Sequence, residues 1–222
     1  MPQKEHTYTP FDDDLASIRM HILEMCRLIE TQFNQSLIAL FESDATIARQ
    51  VIELDYSVNQ LEVHIDSLCV TALARQQPAA SDLRSIVVST KIVVHLERIG
   101  DEAKKIARIA ERLAQQRKVP RQRLSGVQRA AEIAQKKLIE VLDSYTRLDT
   151  TIANTLLCAD DSINEEFNDI FRKLIKSMTD YPRTISSSLD ILFVAKSIEG
   201  IGNHVKHIAQ LVIEASSRYS EY

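Results

Sequence analysis

The residues best suited to chemistry are two pairs of oxygen-bearing side chains at matching places in the chain. In the run LERIGDEAKKIA, Glu97 and Asp101 are four residues apart. In IEGIGNHVKHIA, Glu199 and Asn203 repeat that spacing 102 residues later. Because one helical turn takes about 3.6 residues, each pair projects from one helix face. Such pairs can hold a cation between them, or they can be ordinary solvated surface.

Long helices must position these pairs. The chain has 222 residues, of which 45% are hydrophobic and 26% charged, with only four glycines and five prolines. This scarcity of chain breakers favours an all-α fold over an all-β one. Apolar residues at steps of three and four predict six helices. The predicted helices cover residues 12–41, 45–74, 81–116, 127–148, 149–179 and 184–217.

The second half of the chain repeats the plan of the first. The apolar positions from Ile92 to Ala110 recur, shifted by 102 residues, from Val194 to Val212. A basic, proline-containing segment at 117–126 separates the halves. We therefore expect two tandem antiparallel three-helix bundles related by an internal repeat. The expected boundaries are 1–118 for the first repeat and 119–222 for the second.

Counting outward from the proline break at Pro78 predicts which side chains face each other across the first hairpin. Residues equally far from the centre of a helical hairpin lie opposite one another. Asp101 and Asp55 are equally distant from the break, as are Glu97 and Asn59. The predicted first site is therefore Asp55 and Asn59 facing Glu97 and Asp101.

The same count around Pro182 gives a second set in the second hairpin. Asp160 and Asn164 should face Glu199 and Asn203. This set has two acids and two amides, whereas the first has three acids and one amide. We expect it to bind a cation more weakly than the first set, or not at all.

Three carboxylates placed close together repel one another, and a cation resolves the conflict. Oxygen ligands without cysteine or histidine suit Mg²⁺, Ca²⁺ or Mn²⁺, and carboxylates also accept iron. The alternative is that all these groups lie at solvated helix flanks, where each contributes little. Gly100 and Gly202, at the same repeat position inside helices, suggest close helix approach beside each set.

Other residues point less clearly to a function. His64 and His95 could meet in the first hairpin, whereas His204 and His207 are expected at the surface. The three cysteines lie far apart, without a metal-binding spacing, and are expected to be small buried side chains. No Glu-x-x-His tetrapeptide, phosphate-binding glycine loop or nucleophile elbow occurs. A metal-dependent enzyme on a helical bundle is therefore disfavoured, though it stays an alternative, as does a structural scaffold without metal.

Net charge and hydropathy bear on the class of partner and on the cellular location. The net charge is -4, which gives no support to nucleic-acid binding. No run approaches the ~18 apolar residues of a membrane-spanning helix. The N-terminal MPQKEHTYTPFDDD has no apolar stretch of the kind found in signal peptides. We therefore expect a cytoplasmic protein.

The chain resembles the PhoU family of phosphate-signalling proteins. The resemblance is carried by RQQPAASDLRSIVVSTKIVVHLERIGDEAKKIARIA (75–110), by VIELDYSVNQLEVHID (51–66) and by SIEGIGNHVKHIA (197–209), and it extends from about residue 11 to 214. The family fold is two similar three-helix bundles side by side. Its paired E/DxxxD motifs bind metal, and the first site carries over as Asp55, Asn59, Glu97 and Asp101. In the second, Gly200 stands where arginine is usual and Asn203 where aspartate is usual.

The resemblance implies regulation and no catalysis. Family members act as negative regulators of the phosphate-starvation response. They associate with the ATPase of the phosphate ABC transporter and with a sensor histidine kinase, at the inner face of the cytoplasmic membrane. A divalent ion (Mg²⁺, Mn²⁺ or Fe²⁺) would be the cofactor, and we expect a homo-oligomer, a dimer.

Overall fold

The computed structural model of the chain describes residues 10–76, 80–115, 120–159 and 161–216, and this described part is helical with no strand. Its α-helices are α1 (Pro10–Glu42), α2 (Ala45–Gln76), α3 (Ala80–Gln115), α4 (Ser125–Arg147), α5 (Thr150–Cys158), α6 (Ser162–Asp180) and α7 (Ile185–Ser216). Short 3-10 helices cover Arg121–Leu124 and Pro182–Thr184. The predicted all-α fold class is confirmed.

The helices form two antiparallel three-helix bundles, and in the second bundle the short helices α5 and α6 together take the place of one helix. In the first, α1, α2 and α3 each pack against the other two. In the second, α7 packs against α4, α5 and α6, and α4 packs against α5 and α6. The apolar faces meet in a core that includes Ile22, Ile29, Ile65 and Ile99 of the first bundle, all fully buried. Burial of these faces, and not helix propensity alone, stabilises helices of this length.

The fifth predicted helix is wrong as one continuous element. It ends at Cys158, where Ala159 turns to extended backbone angles, and a new helix begins at Ser162. Beyond the break, the Asp161 carboxylate accepts hydrogen bonds from the Lys206 ammonium and the Asn164 amide. Asp and Ser side chains compete in this way with helical hydrogen bonding, so this polar stretch suits a helix start better than a helix interior. Cys158 is also exposed, contrary to the expectation for the cysteines.

The two bundles meet chiefly through α3 and α7, and also through α1 and α4. Contacts along the α3–α7 pair run in opposite directions, which makes the two helices antiparallel. Successive contacts join His95 to His207, Glu102 to Gly200 and Arg112 to Asp190. Among the described residues, none of the helices has both the length and the apolarity needed to cross a membrane.

The helical glycines differ in how closely other helices approach them. A methyl group at Gly100 would lie 2.9 Å from both the Gln32 Oε1 atom and the Ile29 side chain. At Gly202 it would lie 2.7 Å from Ile163. At Gly200 the nearest atom, on Glu102, is 3.5 Å away, an ordinary contact. Close helix approach therefore explains Gly100 and Gly202 but not Gly200.

This difference predicts opposite effects of two matched substitutions. Gly200→Ala should stabilise the protein by up to about 1 kcal/mol, because alanine is the better helix former and has room. Gly100→Ala should destabilise it by about 1 kcal/mol or more, because overpacking a buried contact outweighs that gain. Urea unfolding followed by circular dichroism measures both. Equal shifts for the two variants would contradict this account of Gly100.

Candidate metal centre

The first predicted site is built around Asp55, a carboxylate with only 3% of its surface exposed. It lies on α2 between the buried Val51 and Val58, which face the core of the first bundle. The Gln32 amide of α1 donates to Asp55 Oδ1 over 3.3 Å. The Lys104 ammonium of α3 lies 2.5 Å from Asp55 Oδ2. Side chains from all three helices of the bundle therefore converge on this one carboxylate.

Glu97 and Asp101 lie on α3 and are part-buried. Burial raises the pKa of the Glu97 carboxyl, and the nearby charges of Asp101, Glu62 and Asp55 raise it further. Burial, with the charges of Asp66 and Asp101, likewise raises the pKa of Glu62. The structure therefore brings Asp55 and Asp101 within electrostatic reach of Glu97, and metal binding by this set stays a prediction.

Asn59 completes the first predicted set but contacts Asp55 only loosely. Its amide nitrogen is 3.5 Å from Asp55 Oδ2, at the outer limit for a hydrogen bond. Its Oδ1 atom is buried, and so is Gln32 Oε1; neither accepts a hydrogen bond from the described residues. A buried acceptor without a donor is costly, and a cation is one partner that would satisfy it. In its chemistry, a set of carboxylate and amide oxygens, the donor set around Asp55 therefore fits a divalent ion.

Lys104 already places a positive charge among these carboxylates. Its ammonium is 2.5 Å from Asp55 and 3.7 Å from Asp101. It partly neutralises the acids that a divalent ion would neutralise, so the lysine and the ion compete for the same carboxylates. An ion at Asp55 therefore requires Lys104 to turn away.

The second predicted set is not assembled in the same way. Asp160 lies outside the described residues. The Asn164 amide donates to the Asp161 carboxylate, which also binds Lys206 at 2.7 Å. These hydrogen bonds, from Lys206 first and then Asn164, lower the pKa of Asp161.

The other two members of the second set have their own contacts. Glu199 forms an ion pair with Lys196, a neighbour on the same helix. The backbone carbonyl oxygen of Asn203 accepts a hydrogen bond from Nδ1 of His207 over 2.7 Å. Asp161 and Glu199 thus each already have a lysine partner, so a metal ion is not needed to neutralise them.

Three residues of the first site were missed by the sequence argument. Glu62 lies seven residues after Asp55, two turns along the same face of α2. Gln32 is fully buried. The sequence indicates it only as a polar residue beside Phe33 on an otherwise apolar helix face. Lys104 follows Asp101 by one turn, but nothing in the spacing indicated that its ammonium would turn toward α2.

The chain is similar to known proteins along most of its length. A family model described as the PhoU domain matches the chain twice, over residues 22–110 and 127–212. The phosphate-specific transport system accessory protein PhoU homolog of Pseudomonas aeruginosa is 41% identical over 208 residues, covering 94% of this chain and 86% of that protein. The accessory protein PhoU of Escherichia coli K12 is 36% identical over 209 residues, covering 94% and 86%.

Solved structures agree with these sequence matches. The crystal structure of PhoU from Pseudomonas aeruginosa superposes with a TM-score of 0.90 at 40% identity, covering 93% of this chain and 99% of that one. The phosphate transport system regulatory protein PhoU from Streptococcus pneumoniae gives a TM-score of 0.84 at 21% identity, covering 96% and 100%. At that identity, the second match bears on the fold alone.

The crowding of acids predicts a pH-dependent gain from Glu97→Gln in protein freed of metal by a chelator. Because the fold raises the Glu97 pKa, the carboxyl costs no stability below its unfolded pKa, about 4.3, and destabilises the fold as pH rises through its folded value. The variant should match the wild type near pH 4 and be the more stable of the two near pH 7.5. Urea midpoints at both values test this.

Glu53→Gln is the matched control, since Glu53 is an exposed acid of α2. Its midpoints should follow those of the wild type at both pH values. An advantage of Glu97→Gln that is the same at both pH values would show that the repulsion described here is not its source.

Proposed function

This chain belongs to the PhoU family, and we propose that it is an accessory protein of a phosphate-specific transport system. The observation that carries the proposal is the coverage of the match. At 41% identity, 94% of the chain aligns with the Pseudomonas aeruginosa homolog, so both bundles are matched and not one alone.

The proposed action is negative regulation of the phosphate-starvation response. In this proposal the protein works in the cytoplasm, at the inner face of the membrane. It contacts the transporter ATPase and a sensor histidine kinase, and holds the kinase off when phosphate is plentiful. In the same proposal the protein associates with itself as a homo-oligomer, namely a dimer. The relatives carry names of accessory proteins, which supports a regulatory role rather than catalysis.

A divalent cation at the first site forms the second part of the proposal. Asp55, Glu97 and Asp101 would supply the carboxylates, and the buried oxygens of Asn59 and Gln32 lie beside them. The ion would neutralise carboxylates that otherwise repel one another. Its role would be structural, and it would take part in no reaction. Oxygen donors favour Mg²⁺ or Mn²⁺, and carboxylates admit iron. For the second set, the lysine partners of Glu199 and Asp161 support weak binding or none.

Removing the competing ammonium should strengthen binding at the first site. Lys104→Met keeps the length of the side chain and deletes its charge. We expect Mn²⁺ affinity, measured by isothermal titration of chelator-treated protein, to rise by roughly tenfold, about 1.4 kcal/mol. Asp55→Asn should lower it by at least as much, because the ion loses its buried carboxylate.

Lys105→Met serves as the control, because Lys105 is exposed and pairs with Glu102 at 2.8 Å, away from Asp55. It removes the same charge from the same helix and should change the affinity little. If Lys104→Met and Lys105→Met raise the affinity equally, general electrostatics explains the effect and the site is not centred on Asp55.

Deletion of the gene in its host tests the regulatory role. Transcripts of phosphate-starvation genes should rise in high-phosphate medium, and the wild-type gene should restore repression. Purified protein should also retain the transporter ATPase in a pull-down. Unchanged transcripts on deletion would refute the regulatory proposal, whatever the titrations show.

Complementation with variants then separates regulation from metal binding. Asp55→Asn combined with Asp101→Asn should restore repression poorly if the ion is needed for regulation, whereas the Glu53→Gln control should restore it fully. Full repression by the double variant, with Mn²⁺ binding lost, would leave the accessory role standing and remove the ion from it.

A further inference from the structure

Three histidines meet where the two bundles touch. His95 comes from α3, and His204 and His207 come from α7, one turn apart on the same helix. The Nδ1 atoms of His95 and His204 are 3.2 Å apart. The rings of His95 and His207 stack nearly parallel, with centroids 4.9 Å apart. The expected meeting of His95 with His64 is wrong, because His64 packs against His21 of α1 instead.

One nitrogen from each ring can be chosen so that all three lie within 4.8 Å of one another. In a tetrahedral zinc site with Zn–N distances of 2.0–2.1 Å, two ligand nitrogens are separated by roughly 3.3 Å. The His95–His204 pair already has that separation, and modest rotation of the His207 ring would bring the third nitrogen into place.

We propose that His95, His204 and His207 form a binding site for a divalent transition-metal ion, with Zn²⁺ the best fit, that links α3 to α7 across the contact between the bundles. Three imidazoles and no sulfur or carboxylate are a borderline-soft donor set, which suits Zn²⁺, Co²⁺, Ni²⁺ or Cu²⁺ rather than Mg²⁺. The site is independent of the carboxylate site around Asp55 and of the proposed accessory function.

The hydrogen bonds of the trio suit ligation. The Nδ1 atom of His207 lies 2.7 Å from the backbone oxygen of Asn203, so it is the protonated nitrogen and donates. The Nε2 atom therefore carries the lone pair, and the bond to the backbone sets the tautomer, as in many histidine–metal sites. Between His95 and His204, the two Nδ1 atoms must share one proton, and a metal ion would replace that proton.

The surroundings of His95 and His204 favour the neutral imidazole, the form that binds a metal ion. Burial, with the nearby His207, His204 and Arg98, lowers the pKa of His95 to about 4. Burial and the charges of His207 and Arg98 also lower the pKa of His204, against the opposing effect of Glu102. Arg98 is exposed, so water screens its repulsion of an incoming cation.

The internal repeat supplies a comparison within the molecule. Positions 102 residues from the trio are Ser197, Glu102 and Lys105. These three line a groove of about 560 Å³ at the other end of the α3–α7 contact. The same helix contact is thus made there without histidine. Packing of the two bundles does not require imidazoles at these places, which favours a ligand role for the trio.

Titration with Co²⁺ tests the site, because tetrahedral Co²⁺ shows strong visible absorption that octahedral Co²⁺ in a carboxylate site does not. Untagged, chelator-treated protein should take up one equivalent with this signature, and Zn²⁺ should displace it. His95→Gln and His207→Gln should each weaken binding at least tenfold and lose the signature. The matched control is His64→Gln, which alters a histidine pair elsewhere and should titrate as the wild type does.

A second set of variants separates this site from the carboxylate site. Glu97→Gln combined with Asp101→Asn should leave the Co²⁺ spectrum intact. The proposal is overturned if His95→Gln and His207→Gln both bind as the wild type does, or if the carboxylate variant alone abolishes the signature. Should His95→Gln fail to fold, the exposed His207 decides the matter through His207→Gln. Zn²⁺ should also raise the unfolding temperature of the wild type but not of that variant.

Discussion

A buried carboxylate that must be compensated is the constraint on which the first bundle depends. An ionised side chain removed from water costs several kcal/mol unless charges and donors surround it. Asp55 receives an ammonium from α3 and an amide from α1, and it lies on α2, so its partners tie the three helices to one point. Gly100 belongs to this arrangement, since a side chain there would collide with the Gln32 amide that reaches Asp55.

The described acids beside α7 in the second bundle are held differently. Asp161 is exposed and pairs with Lys206, and Glu199 is part-buried and pairs with Lys196. Because these pairs are solvated, each contributes little to stability. The buried acid of α7 is Asp190, which pairs with Arg112 of α3. The two halves therefore share a backbone plan but differ in electrostatics: Asp55 is compensated by groups of its own bundle, whereas Asp190 is compensated by Arg112 of the other bundle.

The sequence was sufficient for most of the fold because hydrophobic spacing and proline breaks determine long helices directly. Five of the six predicted helices match to within two residues at each end. The break between Cys158 and Ser162 was hidden because the buried Leu156 and Ile163 are seven residues apart, a spacing that a continuous helix also gives. The carboxylates of the first site followed from hairpin counting, which relates residues within one helix pair. That count cannot reach Gln32 on a third helix, nor the histidine trio between the bundles.

The antiparallel contact of α3 with α7 has an evolutionary consequence. Two copies of a single bundle, associated as a symmetric homodimer, would present every residue of that contact twice. In this chain the two copies are joined in one polypeptide, so a substitution on α3 has no counterpart on α7. His95 could therefore join His204 and His207 at one end of the contact, while the other end kept Ser197, Glu102 and Lys105. Because the two repeats share one polypeptide, each end of their common interface can carry a different chemistry.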